Sequence, residues 1–347
     1  MPMQGFRGAA WILAGWAALA SPGRAEWEWG GCLVPGHNQN LRFTAGAVLE
    51  FEGMVAETTR KLYDVTGNTW KQSLAESYGT SDFNLDGPYG TLGLALDMAW
   101  TFVRFQADST FVQPSTTATA RRDYYIAVGE DIEYNGQSYD HLMIPQGARF
   151  SADLTGNMTE LNLLLVPVGF KGGDILRINP SLDVGLLLFG GSYEIDAGET
   201  TGVKTYQNPP EDFAIGGRSS GFTILGAPQW GPGVEVRLGK PDGVQVDLQV
   251  HYLFANYDGS TGWLTTANHR EKNLDFDHEN LRLRGQVEIP LKRAALNIGV
   301  QAQFIETDGT VSAKADTPEE VLELQERFDK EFSFQMDSVM GTVGITF

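Results

Sequence analysis

Apolar residues recur at every second position in many segments of this 347-residue chain, and this spacing most limits the folds open to it. In residues 244–254 one file holds Val244, Val246, Leu248, Val250, Tyr252 and Phe254, and the other holds Gln245, Asp247, Gln249 and His251. The same alternation occurs in residues 41–52, 281–289 and 296–304. Such segments are typical of β-strands with one apolar and one polar face.

Further strands are predicted by shorter alternating segments at 92–96, 103–107, 182–188 and 234–238. Residues 150–166 should hold another strand, but the run from Leu163 to Val166 obscures which residues share a face. Pro180 and Pro232 each lack a backbone donor, so we expect strands to begin at or after them.

The N-terminal segment has the pattern of a secretory signal peptide. Arg7 supplies the positive charge, residues 9–20 are a short apolar run, and residues 23–25 are a small-x-small cleavage site. We predict a signal peptide at 1–25, with cleavage after Ala20 as the alternative, and then an N-terminal periplasmic segment at 26–40. Cys32 follows no apolar run, which argues against a lipoprotein, and a lone cysteine forms no internal disulfide.

The C-terminal strand places Val339, Gly341, Val343 and Ile345 at every second position before a terminal Phe347. This pattern resembles the closing strand of bacterial outer-membrane β-barrel proteins, without pointing to a subfamily. The resemblance implies the outer membrane of a Gram-negative cell. It also implies two partners, namely outer-membrane lipid and the barrel-assembly machinery, which reads the terminal aromatic residue.

The connections between alternating segments fall into two classes. Short ones are expected at 97–100, 168–180, 239–243 and 291–293, and long polar ones at 58–86, 113–148, 196–229, 258–277 and 307–330. A soluble β-sandwich also alternates, but its loops are usually short. We therefore predict an all-β fold, a transmembrane antiparallel up-and-down β-barrel over 41–347 with short periplasmic turns and long extracellular loops. Ten strands are expected, or twelve if residues 123–134 pair within their loop.

The charge of the chain excludes one class of partner. There are 25 basic and 44 acidic residues, and removal of residues 1–25 leaves a net charge of −21. Nucleic-acid binding requires a basic surface, so no nucleic-acid partner is expected. The long loops are acidic, and we expect an unknown extracellular ligand.

The polar file of each strand should face the barrel lumen. Eight strands leave an interior that side chains just fill, so ten strands do not make a wide pore. The lumen-lining residues are predicted to be Arg104, Arg237, Asp247, His251, Arg282, Arg284 and Glu288, with Glu50, Glu52, Asp108, Asp183 and Glu235 beside them. These groups make either a packed polar core or a narrow, porin-like path for a solute or ion. The sequence favours a channel or a structural or surface-interaction role, with no catalytic residue, cofactor or metal site, and we predict that the chain is not an enzyme.

One enzymatic alternative comes from a resemblance in architecture. The omptin peptidases are ten-stranded outer-membrane barrels that use acidic residues and a histidine near the extracellular rim. Residues 275–279 (Asp-Phe-Asp-His-Glu) are the nearest candidate here, although their spacing departs from the Asp-x-His of that family. This alternative requires Asp277 and His278 to face carboxylates across the mouth of the barrel.

Overall fold

The computed structural model describes residues 25–29, 39–64, 69–134, 137–203, 214–240, 242–260, 272–313 and 330–347. The predicted signal peptide lies outside these residues except for Ala25. In the described part of the chain, no helix has both the length and the apolar character to cross a membrane.

Seventeen β-strands and one 3₁₀ turn at Thr80–Phe83 make up the described structure. The strands are β1 Ala25–Trp29, β2 Gln39–Glu52, β3 Met54–Asp64, β4 Thr69–Gly79, β5 Tyr89–Ala99, β6 Val103–Val112, β7 Ser115–Thr119, β8 Tyr124–Tyr134, β9 Gln137–Ile144, β10 Arg149–Leu165, β11 Val168–Gly172, β12 Leu176–Val203, β13 Ala214–Leu238, β14 Gln245–Ser260, β15 Lys272–Pro290, β16 Ala295–Ala313 and β17 Lys330–Thr346.

Ten of these strands close into an antiparallel ring. The order is β2, β5, β6, β10, β12, β13, β14, β15, β16 and β17, and β17 pairs with β2. The prediction of an all-β antiparallel fold with about ten strands in a ring is confirmed. Residues 124–134, on which the twelve-strand alternative depended, form a hairpin with β9 that joins β12 and lies outside the ring.

The remaining strands either pair with a ring strand or form separate hairpins. β7 pairs with β10, and β3 and β4 form a separate hairpin. β1 pairs with β11, which in turn pairs with the first residues of β12. The residue range 58–86, predicted as a loop, therefore contains most of a hairpin.

The ring has two different ends. The turn end carries the connections 100–102, 166–175 (which contains β11), 239–244 and 291–294. There Phe347 and Gln39 exchange backbone hydrogen bonds. The loop end carries the connections from β2 to β5, β6 to β10, β12 to β13, β14 to β15 and β16 to β17.

Side chains alternate between the two faces of the ring as the sequence predicts. On β14 Val246 and Leu248 are 37% and 46% exposed, whereas Asp247 and Gln249, which alternate with them, are each 2% exposed. Exposed apolar side chains surround the outer face and form what we call the apolar belt. It comprises Leu41, Phe43, Leu92, Leu94, Leu163, Leu165, Leu182, Val184, Leu188, Trp230, Val246, Leu248, Val287, Ile289, Ile298, Val300, Val339, Val343 and Ile345.

The strands are longer than the alternation predicted. β12 runs to Val203 and β13 starts at Ala214, so the predicted loop 196–229 is mostly strand. β14, β15, β16 and β17 also continue past the apolar belt toward the loop end. Alternation of polar and apolar residues depends on one face meeting an apolar environment, and it fades where both faces are polar.

Two local predictions were wrong. Asp97 belongs to β5 and pairs with Gln106, although it was assigned to a turn. β12 passes through Pro180 and β13 passes through Pro232, so neither proline begins a strand. Each proline removes one ladder donor, and the remaining bonds of these long strands hold them together.

A β-bulge in β2 changes which residues face the interior. Val48 pairs with Ser338 and Glu50 pairs with Asp337, so Leu49 is an extra residue without a partner on β17. The bulge turns Phe51 inward and leaves Glu50 and Glu52 exposed on the outer face. The prediction that these two glutamates line the lumen was therefore wrong.

Candidate functional site

The interior of the ring contains the residues that the sequence singled out. Asp247, His251, Arg282 and Arg284 point inward and are buried, and Arg104, Arg237 and Glu288 are partly buried at the turn end. Asp108 and Glu235, which the sequence also placed in the lumen, are buried as well. Together with residues that sequence reasoning missed, these side chains form two groups of ion pairs.

The first group centres on Glu235, at the turn end. Its carboxylate accepts hydrogen bonds from Arg104 of β6 at 3.1 Å and from Arg237 of β13 at 2.8 Å. The side-chain amides of Asn179 and Gln249 donate to it at 3.1 and 3.3 Å. Arg237 also lies 3.8 Å from Asp247, so two arginines and two acids balance each other here.

The second group is a chain of alternating charges across the lumen. Arg284 lies 3.3 Å from Asp97, and Asp97 also accepts from both terminal nitrogens of Arg42. Arg42 continues to Asp108 at 3.5 Å, and Asp108 accepts from Arg282 at 2.5 Å. These five side chains are each less than a tenth exposed.

Glu160 ends this chain and accepts hydrogen bonds from its own strand and from three other strands. Arg282 reaches it at 3.4 Å. Four amides also donate to its two oxygens, at 2.7 to 3.1 Å, from Asn162, Gln229, Asn280 and Gln303. Glu160 is 1% exposed, and its donors come from β10, β13, β15 and β16. A buried carboxylate that is satisfied from so many sides ties these strands together across the interior.

His251 belongs to a separate buried pair on the same level. Its Nδ1 lies 2.5 Å from Asp183 Oδ2, and the Ser181 hydroxyl donates to the other oxygen of Asp183 at 2.6 Å. Both side chains are buried in the interior, at 4% and 1% exposed.

An apolar layer closes the interior on the loop-end side of Glu160. The rings of Phe51, Phe189 and Phe334 lie 5.2 to 5.7 Å apart, and Met336 packs with them. All four are at most 5% exposed. We call this set the aromatic layer. Aromatic pairs at these distances favour tilted or edge-to-face contacts, as observed here.

Free space between the charged groups is small. A cavity of about 30 Å³ lies at the turn end and is bounded by Arg284, Asp247, Gln286 and Asn40, among others. This volume corresponds to one or two water molecules. Beyond it, the chain of charges from Arg284 to Glu160 and the aromatic layer consist of side chains that are each less than a tenth exposed.

The rim residues of the enzymatic alternative lie on opposite faces of β15. Asp277 is exposed and accepts a hydrogen bond from Asn256 at 2.6 Å. His278 points inward, is 1% exposed, and shares hydrogen bonds with Thr307 at 2.8 Å and Gln229 at 3.1 Å. Burial lowers the pKa of His278 to about 4, so it is neutral at physiological pH. The structure does not join Asp277 and His278 as a pair.

The outer face at the loop end carries two open grooves. One, of about 520 Å³, is lined by Asp275, Asp277, Asp308, Thr310 and Ser333. The other, of about 490 Å³, is lined by Tyr252, Phe254, Asn256, Asp277 and Glu279.

Nearby on the same face, burial and the carboxylates of Glu50 and Glu306 raise the pKa of Asp337. In the described residues no group of three or more His, Cys, Asp or Glu side chains is placed to hold a metal ion.

Comparisons with known proteins find a likeness in structure but none in sequence. No protein-family model and no curated protein matches the chain. The crystal structure of the outer membrane protease OmpT from Escherichia coli is similar, with 10% identity over 90% of this chain and 98% of that chain and a TM-score of 0.35. The Pseudomonas putida toluene transporter TodX gives 11% identity over 89% of each chain and a TM-score of 0.16. Both are outer-membrane β-barrel proteins.

The first of these findings corrects one prediction. The sequence led us to expect a chain that is not an enzyme, and this expectation is overturned because a protease is among the similar structures. A likeness at 10% identity assigns neither a reaction nor a catalytic residue to this chain.

Proposed function

We propose that this chain is an outer-membrane β-barrel with a closed lumen, whose function is carried by the surface of its loop end. One observation carries the proposal. The cross-section of the lumen is filled first by the chain of charges from Arg284 to Glu160 and then by the aromatic layer. A filled interior of this kind leaves no aqueous path for a solute.

Placement in a membrane is supported by the apolar belt. Large apolar side chains on β2, β5, β10, β12 to β17 are exposed together on one outer surface. Exposure on this scale is unfavourable in water, and it is expected where lipid covers the outer face of a barrel. The alternation of residues 339–345 supports the same placement.

The loop end offers the surface that such a barrel presents outside the cell. One groove is lined by the carboxylates of Asp275, Asp277 and Asp308. The other combines the carboxylates of Asp277 and Glu279 with the aromatic side chains of Tyr252 and Phe254. Grooves of 490 to 520 Å³ are within the range of sites that take small ligands or peptide side chains. We propose binding at these grooves. Peptide hydrolysis at the same end is the alternative, and it would use residues other than a joined Asp277–His278 pair.

Conductance of the refolded mature protein in a planar bilayer tests the closed lumen. We expect no discrete current steps from protein that is shown to be inserted by flotation with liposomes and by resistance to proteolysis. A triple variant, Arg282→Ala, Glu160→Ala and Phe189→Ala, removes both closing layers and should conduct. Discrete steps from the wild-type protein would refute the proposal.

The same preparation distinguishes the two loop-end functions. Incubation with a library of fluorescent peptides measures hydrolysis, and variants Asp277→Asn and Asp308→Asn remove groove carboxylates. Cleavage that the variants abolish would identify the enzymatic alternative. Binding of basic peptides without cleavage would support the binding function if the same variants weaken it. Both results are consistent with the grooves as the functional surface.

A further inference from the structure

Two neighbouring strands of the ring separate at the loop end. β13 and β14 pair along their turn-end halves, and their last pair is Trp230 with Phe254. Beyond this pair both strands continue, β13 against β12 to Ala214 and β14 against β15 to Ser260. Among the described residues, no strand pairs with β14 on its β13 side past Phe254. We call this side of residues 255–260 the open edge of β14.

The backbone of the open edge directs hydrogen-bonding groups away from β15. In an antiparallel sheet, the N–H and C=O groups of successive residues point to opposite neighbours. The carbonyl oxygen of Tyr252 points toward β13, since a Cβ added to Gly231 would meet this oxygen. Alternation therefore directs the backbone groups of Asn256, Asp258 and Ser260 to the same side.

The open edge begins at the loop-end boundary of the apolar belt. Trp230, in the last pair, belongs to the belt, and Asn256 and Asp258 beyond it are exposed. Lipid offers no hydrogen bonds, so such an edge is compatible with a membrane barrel only outside the hydrocarbon region. An accessible row of N–H and C=O groups is a template to which another extended chain can add as a strand.

Carboxylates on the outer face select the kind of chain that fits. Asp258 lies on the open edge, and Asp275 and Asp277 lie beside it on β15; all three are exposed. Asp258 and Asp275 are directly opposite each other, and like charges so placed repel. A second copy of the same edge would add further carboxylates, which disfavours self-pairing. A strand with basic side chains on its outer face would relieve the repulsion.

We infer that the open edge of β14 binds an extended peptide by strand addition, with basic side chains of the peptide against Asp258 and Asp277. This inference rests on the proposed binding function of the loop end. Main-chain hydrogen bonds to Asn256, Asp258 and Ser260 hold the peptide antiparallel to β14, as the ring strands hold one another. The adjoining groove, lined by Phe254, Asn256 and Asp277 among others, takes one long basic side chain.

A peptide with blocked backbone donors tests strand addition on the unchanged protein. The probe is a labelled nine-residue peptide of alternating Thr and Lys, and fluorescence anisotropy measures its binding to the refolded mature protein. In antiparallel addition, the lysines that share the outer face of β14 also direct their N–H groups to it. N-methylation of the lysines should therefore weaken binding at least about tenfold, whereas N-methylation of the threonines should leave binding within about twofold.

Equal effects of the two methylation patterns would overturn the inference. Side chains alone would then hold the peptide, and the proposed binding at the grooves would stand. No saturable binding of the unmodified peptide would overturn both the strand addition and the proposed binding. The two failures are therefore distinguishable.

Hydrogen exchange, followed by NMR, locates the bound peptide on β14. Saturating peptide should slow exchange of the Asn256 and Asp258 amides at least about tenfold and should leave the Tyr257 amide, which faces β15, unchanged. Unchanged exchange at Asn256 and Asp258 would overturn the inference.

A charge exchange tests the selection of basic side chains. Asp258→Lys should weaken binding of the Thr-Lys peptide at least about tenfold and permit binding of a Thr-Glu peptide. Glu52→Lys is the matched control, because Glu52 is equally exposed on the outer face but lies on β2, and it should change neither affinity. The same preference in Asp258→Lys as in the wild-type protein would contradict the assigned contact.

Discussion

Glu160 offers the sharpest test of a closed interior, because its environment should make even a nearly isosteric change costly. In Glu160→Gln one carboxylate oxygen becomes an NH₂ group, which then faces amide or guanidinium donors. Four donors converge on Oε1, from Asn162, Gln229, Asn280 and Arg282. Gln303 donates to Oε2, so neither orientation of the new amide avoids a donor facing a donor.

The magnitude follows from the burial and the remaining partners. Removing one member of a buried ion pair costs about 3–5 kcal/mol. Arg282 keeps its 2.5 Å contact with Asp108, which favours the lower end of this range. We therefore expect Glu160→Gln to lower the free energy of unfolding by about 3 kcal/mol. Glu52→Gln is the matched control, because Glu52 is exposed on the outer face, and it should change stability by less than about 0.5 kcal/mol.

Urea unfolding of the protein refolded into liposomes, with linear extrapolation to water, measures both variants. A double-mutant cycle with Arg282→Met then isolates the contact with Arg282, and the double variant should lose less than the sum of the two single variants. A loss of less than about 1 kcal/mol for Glu160→Gln would refute the reasoning. It would mean that water reaches this carboxylate and that the lumen is not closed.

Three further predictions concern other parts of the barrel. His278 lies on the loop-end side of the belt, and burial lowers its pKa to about 4 in the folded protein, so its contribution to stability is complete above pH 6.5 and is lost as the pH falls toward 4. The free energy of unfolding, measured at a series of pH values, should fall by about 3 kcal/mol over this range in the wild-type protein but not in His278→Gln. An unchanged pH profile in that variant would contradict the assignment. Phe189→Ala should lower the free energy of unfolding by about 3–5 kcal/mol, because it opens a cavity in the aromatic layer. The variant should show no current steps in planar bilayers, because the chain of charges from Arg284 to Glu160 remains. Current steps would show that the aromatic layer alone closes the barrel. Gly46→Ala should lower the urea midpoint of unfolding or prevent folding, because the new methyl group would meet the backbone of Val339. Gly90→Ala is the control, since a methyl group there meets open space. Equal unfolding midpoints for the two variants would argue against the close contact of β2 with β17.

Much of the barrel wall could be predicted from strict alternation. On β14, β15 and β16 the outer face carries apolar side chains and the inner face carries charged and polar ones, so residue type indicates the face directly. Arg282, Arg284 and Asp247 were assigned to the interior by this signal, and the structure places them there. Outside the belt both faces are polar, and the sequence then underestimates strand length.

The interior contacts could not be predicted, because they join residues far apart in sequence. Arg42 and Asp97 are 55 residues apart, and Gln303 and Glu160 are 143 apart. Alternation at Arg42 indicated its face but named no partner. Asp97 stands next to a short connection and was taken for part of it. Glu160 lies in β10, whose apolar run from Leu163 hides the inward file. A single sequence contains no signal for the distance across a ring.

The bulge at Leu49 has a consequence for how this gene tolerates changes in length. Because Leu49 has no partner on β17, deleting its codon would leave Val48, Glu50 and Phe51 on their present faces and would make the ladder regular. Deleting a codon between Gln39 and Val48 would instead reverse every side chain on one side of the lesion. A single-codon deletion at Leu49 should therefore be tolerated, whereas single-codon deletions between Gln39 and Val48 should prevent the barrel from folding.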